Sequence, residues 1–204
     1  MHYIGPMVNL ERNDVPAKTV YNYTLDEVYQ KAEKSGAKIV YCAVGTMKTG
    51  KSHFLVNLVE GMQALPSWIL ILSLGKHIEE ASFKGSRDNV FTFSHVPQLD
   101  ILSRASVAIV HGGIHTINEC LMLKVPMLIY SGKKSDQNGN AARLIYYKLA
   151  YHGDRNLDTK EDIIRKIEAM DKDEEIKVAM NEIYQAIKRT SSKEAVEKIL
   201  DGII

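Results

Sequence analysis

The stretch Ser106-Val107-Ala108-Ile109-Val110-His111-Gly112-Gly113-Ile114-His115-Thr116-Ile117-Asn118-Glu119 passes from a β-rich apolar run, through two glycines, into a helical pattern. Two glycines between a buried strand and a helix let backbone approach a ligand closely. The helix start then offers free N–H groups and the positive end of its dipole to a phosphate. His111 stands at the strand's carboxyl end, where open α/β sheets bind their ligands. Thr116 and Glu119 lie three apart, and His115 and Glu119 four apart, so all three can share one helix face. A hydroxyl near phosphates and a carboxylate reaching ribose hydroxyls is sound nucleotide chemistry. A tight turn followed by an exposed polar helix face accounts for the same residues, and this stretch alone does not separate the two.

Working outward, short β-rich runs alternate with helical patterns, the signature of a parallel sheet wrapped by helices. Strands are predicted at Lys38–Val44, Trp68–Ser73, Asn89–Phe93, Ser106–Val110 and Pro126–Tyr130. Several are nearly continuous Val/Ile/Leu runs, as expected of strands covered on both faces. Helices are predicted near Ser52–Ala64, Gln98–Ala105, Ile114–Leu123 and Gln137–Leu149, the first with Phe54, Leu55, Leu58 and Met62 on one face. After Gly153 only helices are expected, with stripes Ile163/Ile164/Ile167/Met170 and Ile176/Met180/Ile183/Ile187, and a last helix capped by Ser191 and Glu194. Residues 1–37 read as a linker-like opening segment without a clear strand, in which Tyr3–Pro6 looks like an extended connector.

At 204 residues the chain has room for one large α/β domain, spanning 1–204. A formal net charge of +1 gives no electrostatic case for nucleic acid or an anionic membrane as partner. Cys42 and Cys120 sit in apolar stretches and read as buried thiols, neither a disulfide nor a metal pair. The longest apolar run, Trp68–Leu72, is too short to span a bilayer, and the start of the chain lacks signal-peptide character. A cytoplasmic location is expected.

Three further motifs carry chemistry. In Ser135-Asp136-Gln137-Asn138-Gly139-Asn140, Asp136 can accept from paired hydroxyls and Gln137 can both donate and accept, as a sugar demands. Taken alone, Asp136 is better explained as a helix N-cap. In His95-Val96-Pro97-Gln98-Leu99-Asp100, Pro97 suits a helix start, the His95 ring can stack on a base, and Val96 backbone can read its edge. Gly45-Thr46-Met47-Lys48-Thr49-Gly50-Lys51-Ser52 fits a nucleoside-triphosphate loop in the context that motif needs, after a strand and before a helix. Against that reading, neither Trp68–Ser73 nor Ser106–Val110 ends in an Asp to help hold magnesium.

Taken in order, these segments resemble the carboxyl-terminal domain of the UDP-glycosyltransferase superfamily, glycosyltransferase family one. The resemblance runs from Tyr3–Pro6 through Val44-Gly45-Thr46, Phe54-Leu55, His95-Val96-Pro97-Gln98 (the family's Trp-x-Pro-Gln) and His111 to Glu119. It continues through Val125-Pro126-Met127 to Asp136-Gln137 and Asn140-Ala141. It implies the donor half of a GT-B enzyme, a Rossmann-like parallel sheet with helices on both faces, ending in a helical tail. His111 would bind the donor phosphate with Thr46 and Thr116, and Glu119 and Gln98 the ribose. Asp136 and Gln137 would hold the transferred sugar, while His95 and Val96 meet the base and Gly113 and His115 complete the set.

The resemblance implies a UDP-sugar donor, glucose-type by Gln137, transferred with inversion and without metal or other cofactor. The general base belongs to the amino-terminal acceptor domain, which is absent, so no catalytic residue is expected in this chain and it is read as catalytically incomplete. Departures fall at His95 for the family's tryptophan, at His115 for its common asparagine, at Ser131-Gly132, and at Lys133 with Lys134. Two other readings stand beside this one: a sugar-nucleotide-binding subunit of a two-chain transferase, and a nucleoside-triphosphatase using Gly45–Ser52.

Overall fold

In the computed structural model the described residues are 8–12, 14–19, 21–43, 53–75, 88–132 and 135–189. Six parallel strands form one sheet in the order β3-β2-β1-β4-β5-β6, the order of a doubly wound dinucleotide fold. They are β1 (Lys38–Ala43), β2 (Trp68–Ser73), β3 (Val90–Phe93), β4 (Val107–Val110), β5 (Met127–Ile129) and β6 (Ala150–His152). Between and after them come α1 (Leu25–Ser35), α2 (His53–Gln63), α3 (Gln98–Arg104), α4 (Ile114–Leu123), α5 (Ser135–Tyr146), α6 (Lys160–Lys172) and α7 (Glu174–Arg189). The Rossmann-like architecture expected of the donor half of a GT-B enzyme is therefore present.

The apolar runs explain the sheet. All four residues of β4 are buried, as are five of the six in both β1 and β2, because helices cover both faces of a parallel sheet. Phe54, Leu55, Leu58 and Met62 all point into the core. The stripes on α6 and α7 pack as their spacing requires: Ile163, Ile167, Met170, Ile176 and Met180 are buried, with Ile164, Ile183 and Ile187 against them. Cys42 and Cys120 are free thiols whose acidity burial suppresses. No described helix is long and apolar enough to cross a membrane.

Two elements differ from expectation. The opening segment contains α1, started by a capping box in which Thr24 Oγ1 accepts from Glu27 N–H at 3.2 Å and Glu27 Oε2 accepts from Thr24 N–H at 2.6 Å. Gly36, at φ 66°, ends it, and Leu25, Val28 and Ala32 are its buried face. At the other edge, the expected helix Gln137–Leu149 stops at Tyr146, Lys148 turns left-handed, and the chain adds β6 beside β5. Tyr3–Pro6 and the helix expected after Ser191 lie outside the described residues.

The carboxyl ends of the strands are aligned, Ala43 against Val110, Val110 against Ile129, and Ile129 against His152. Just beyond them Tyr130 acts as a clamp. Its ring lies 4.2 Å from that of Phe54, and its hydroxyl donates to Asp158 Oδ2 at 2.7 Å. The backbone of Gly153 sits so close that a Cβ there would stand 2.2 Å from the ring. Replacing Gly153 with alanine is expected to cost about 1–3 kcal/mol of stability by overpacking, read as a lower midpoint in denaturant with an unchanged slope.

Candidate functional site

Reversal of strand order between β1 and β4 opens a crevice at the carboxyl ends, where such sheets bind ligands. The turn His111-Gly112-Gly113 lies there, one residue past β4. Gly112 has φ 87°, and a Cβ on it would stand 3.1 Å from the carbonyl oxygen of Gln137. Only glycine combines that backbone angle with that approach. Gly113 is the N-cap of α4 and brings no side-chain cap. The first turn of α4 contains no acidic residue, so its N–H groups and dipole are not neutralised from within the helix. The half-buried His111 ring covers the space a side chain at 113 would take, with Nε2 2.6 Å from that Cβ position. An imidazole and an uncapped helix start thus face the same point.

α5 is bonded to the glycine turn and to the loop that leads into the helix. Asn140 Nδ2 donates to Gly112 O at 3.0 Å, and Gln137 Oε1 accepts from Gly132 N–H at 3.0 Å. With its oxygen turned onto its own loop, Gln137 presents its Nε2 as a donor. Asp136 is exposed and lies inside the first turn of α5, which begins at Ser135, so the N-cap alternative does not hold.

One turn into α4, Glu119 is only 3% exposed, and its carboxylate is met from two directions. Gln98 Nε2, from the start of α3, donates to Oε2 at 2.5 Å and approaches Thr116 Oγ1 at 3.4 Å. The Gln98 amide is oriented in turn by the buried Tyr41, whose hydroxyl donates to Oε1 at 3.0 Å. Arg12 Nη1 donates to Glu119 Oε1 at 2.5 Å. The Asp14 hydrogen bond, ahead of Glu119, pushes the Arg12 guanidinium above its ordinary value, so its charge is permanent.

The expected residues therefore do not all converge. Gln98, Thr116 and Glu119 form one buried cluster, while His111, Gly113 and Gln137 gather around the glycine turn. His115 does not share the face of Thr116 and Glu119: both of those are buried and His115 is exposed, because the boundary between the packed and open sides of α4 passes between them. His95 is exposed in its turn, with its carbonyl accepting from Lys18 N–H at 2.8 Å, and Val96 is buried. Thr46, the loop Gly45–Ser52, Lys133 and Lys134 lie outside the described residues.

Spacing in the sequence did not reveal Arg12, Asp14, Tyr41 or Arg155. Arg12 and Glu119 are 107 positions apart. Arg155 holds Tyr130 O through both Nε, at 2.8 Å, and Nη2, with burial lowering its basicity. Substituting Glu119 with alanine is expected to cost about 1–3 kcal/mol, since it strands the Gln98 amide and one arm of Arg12, measured by chemical denaturation.

Comparison with known proteins agrees with this fold. An uncharacterised UDP-glucosyltransferase, YdhE of Bacillus subtilis (strain 168), is 22% identical over 167 residues, 82% of this chain and 42% of that protein. The oleandomycin glycosyltransferase of Streptomyces antibioticus is 33% identical over 107 residues, 52% of this chain and 25% of that protein. The chain thus spans less than half the length of these relatives. Among solved structures, the glycosyltransferase of kitacinnamycin superposes with a TM-score of 0.80 at 24% identity, covering 98% of this chain and 49% of that one. VinC, a glycosyltransferase solved in complex with DTDP, superposes at 0.67 with 17% identity, covering 80% and 41%. The matching family model is that of family 28 where the sequence resemblance named family one. It is described as the glycosyltransferase family 28 C-terminal domain and spans residues 39–199, most of the chain, so the chain belongs to that family.

Proposed function

We propose that this chain is the nucleotide-sugar-binding half of a UDP-dependent glycosyltransferase of the family-one type, transferring a glucose-type hexose with inversion. One observation carries the reading. At the sheet's switch point the uncapped start of α4 and the His111 imidazole face one point, and a buried carboxylate held by Gln98 lies one helical turn away. A diphosphate suits the first and a ribose the second. Asn140 of α5 bonds to Gly112 of the glycine turn, and Gln137 with the exposed Asp136, from the start of the same helix, would meet the transferred sugar.

In transfer, negative charge grows on the leaving diphosphate. His111, with the N–H groups of α4, would stabilise it in the role a divalent ion plays elsewhere, so no metal is required. The acceptor hydroxyl would be deprotonated by a base from a separate amino-terminal domain and would attack the anomeric carbon from the face opposite the diphosphate. That domain chooses the acceptor. Whether it is joined to this chain or supplied by a second one, the donor half works in the same way. The setting is cytoplasmic in this reading.

Calorimetric titration with UDP, UDP-glucose, TDP and ATP, with and without magnesium, tests it. The expected result is metal-independent UDP binding, weakened about tenfold or more in His111→Ala (about 1.4 kcal/mol or more) and retained in Lys51→Ala. Magnesium-dependent ATP binding abolished in Lys51→Ala would overturn the reading in favour of the Gly45–Ser52 loop. Gly113→Ala should shift the melting temperature little, since a ring can move aside, yet weaken UDP to a similar extent as His111→Ala by displacing that ring.

A further inference from the structure

Glu119 and Gln98 do not hold their geometry by themselves. A carboxylate this deeply buried has to be answered by donors, and half of the answer comes from the opening segment. Arg12 reaches Glu119 Oε1 at 2.5 Å while its Nε donates to Asp14 Oδ1 at 2.7 Å. Asp14 Oδ2 in turn accepts the N–H of Leu99 at 3.1 Å, in the first turn of α3. Leu99 adjoins Gln98, so the contacts close into a ring: α3 to Asp14, to Arg12, to Glu119, to Gln98, and back to α3. The segment carrying Arg12 is fastened again downstream, where Lys18 N–H donates to His95 O at 2.8 Å and Lys18 O accepts from Ser94 N–H at 2.9 Å.

We propose that Arg12 is a positioning residue for the donor's ribose, fixing the Glu119 carboxylate so that it receives two neighbouring hydroxyls and so selects a ribonucleoside over a 2′-deoxyribonucleoside diphosphate. The proposal rests on the ribose reading of Glu119 and Gln98 above. An ionised carboxylate offers about four lone-pair positions. Arg12 occupies one on Oε1 and Gln98 one on Oε2, which leaves one on each oxygen for the 2′- and 3′-hydroxyls. A 2′-deoxyribose brings a single hydroxyl and leaves one buried acceptor without a donor, a mismatch that binding sites reject strongly. Without the guanidinium, Oε1 is no longer held, the carboxylate can turn to follow one hydroxyl, and the two sugars bind more alike. Arg12 acts through Glu119, so its effect is on selection.

The test is titration of the full chain with UDP and with 2′-deoxy-UDP, for the native sequence, Arg12→Met and Arg12→Lys, with a melting temperature for each. The native chain is expected to prefer UDP by about tenfold or more. In Arg12→Met, UDP should weaken about tenfold while 2′-deoxy-UDP changes by less than about twofold, collapsing the ratio. Lysine, which restores the charge without the fork, should recover part of it. Equal weakening of both nucleotides would make Arg12 merely structural and overturn the proposal. So would tighter UDP binding, which would make Arg12 an obstruction, or full discrimination surviving in Arg12→Met. A native chain that binds the two nucleotides equally, or neither, would remove the ribose reading itself and the proposal with it.

Discussion

A carboxylate taken out of water costs several kcal/mol unless donors replace the water it loses, and in this fold that debt sits at Glu119. The donors come from α3 and from the opening segment, so the helix carrying Glu119 cannot settle against the sheet until both neighbours are in place. Tyr41 extends the dependence into the central strand, since its hydroxyl decides which end of the Gln98 amide faces the carboxylate. The polar cluster therefore records the assembly of β1, α3, α4 and the segment carrying Arg12 and Asp14 in one set of hydrogen bonds. Such a network tolerates little change, because each member removed leaves another polar group buried and unanswered.

The glycine turn after β4 answers a different constraint, one of space. Gly112 lets α5 come up against the turn, and Gly113 gives its missing side chain's place to the His111 ring. A buried polar network and a helix start without a side-chain cap thus stand side by side at the switch point. The sheet contributes by ending its strands in register, so that residues distant in sequence come level without long loops.

Much of this was legible from the residues. Buried parallel strands are written as Val/Ile/Leu runs, and the His111-Gly112-Gly113 turn states its own backbone demands. α1 was written too, in Thr24, Glu27 and Gly36, but its helix was missed when residues 1–37 were read together as a linker. β6 left no such trace: three residues, Ala150-Tyr151-His152, show neither alternation nor an apolar run. The exposure of His115 was also hidden, because a spacing of four places two side chains near one another without saying where the helix meets the core. Arg12 escaped because pairing across more than a hundred positions is decided by how the chain returns over the sheet, which no local pattern records.

The shortness of β6 also limits what that edge of the sheet offers to a second strand. An outer strand is a row of amide groups waiting for another strand, and a long one invites end-to-end stacking of sheets. Here that row is three residues long, and Tyr151 within it is tethered through its hydroxyl to Asp173 at 2.8 Å, where α6 gives way to α7. Opposite, β3 gives way to Ser94 and His95, whose backbone groups are already engaged by Lys18. Among the described residues, a neighbouring sheet approaching the β6 flank would meet a strand of only three residues, too short a row of amides to favour filament growth on that side.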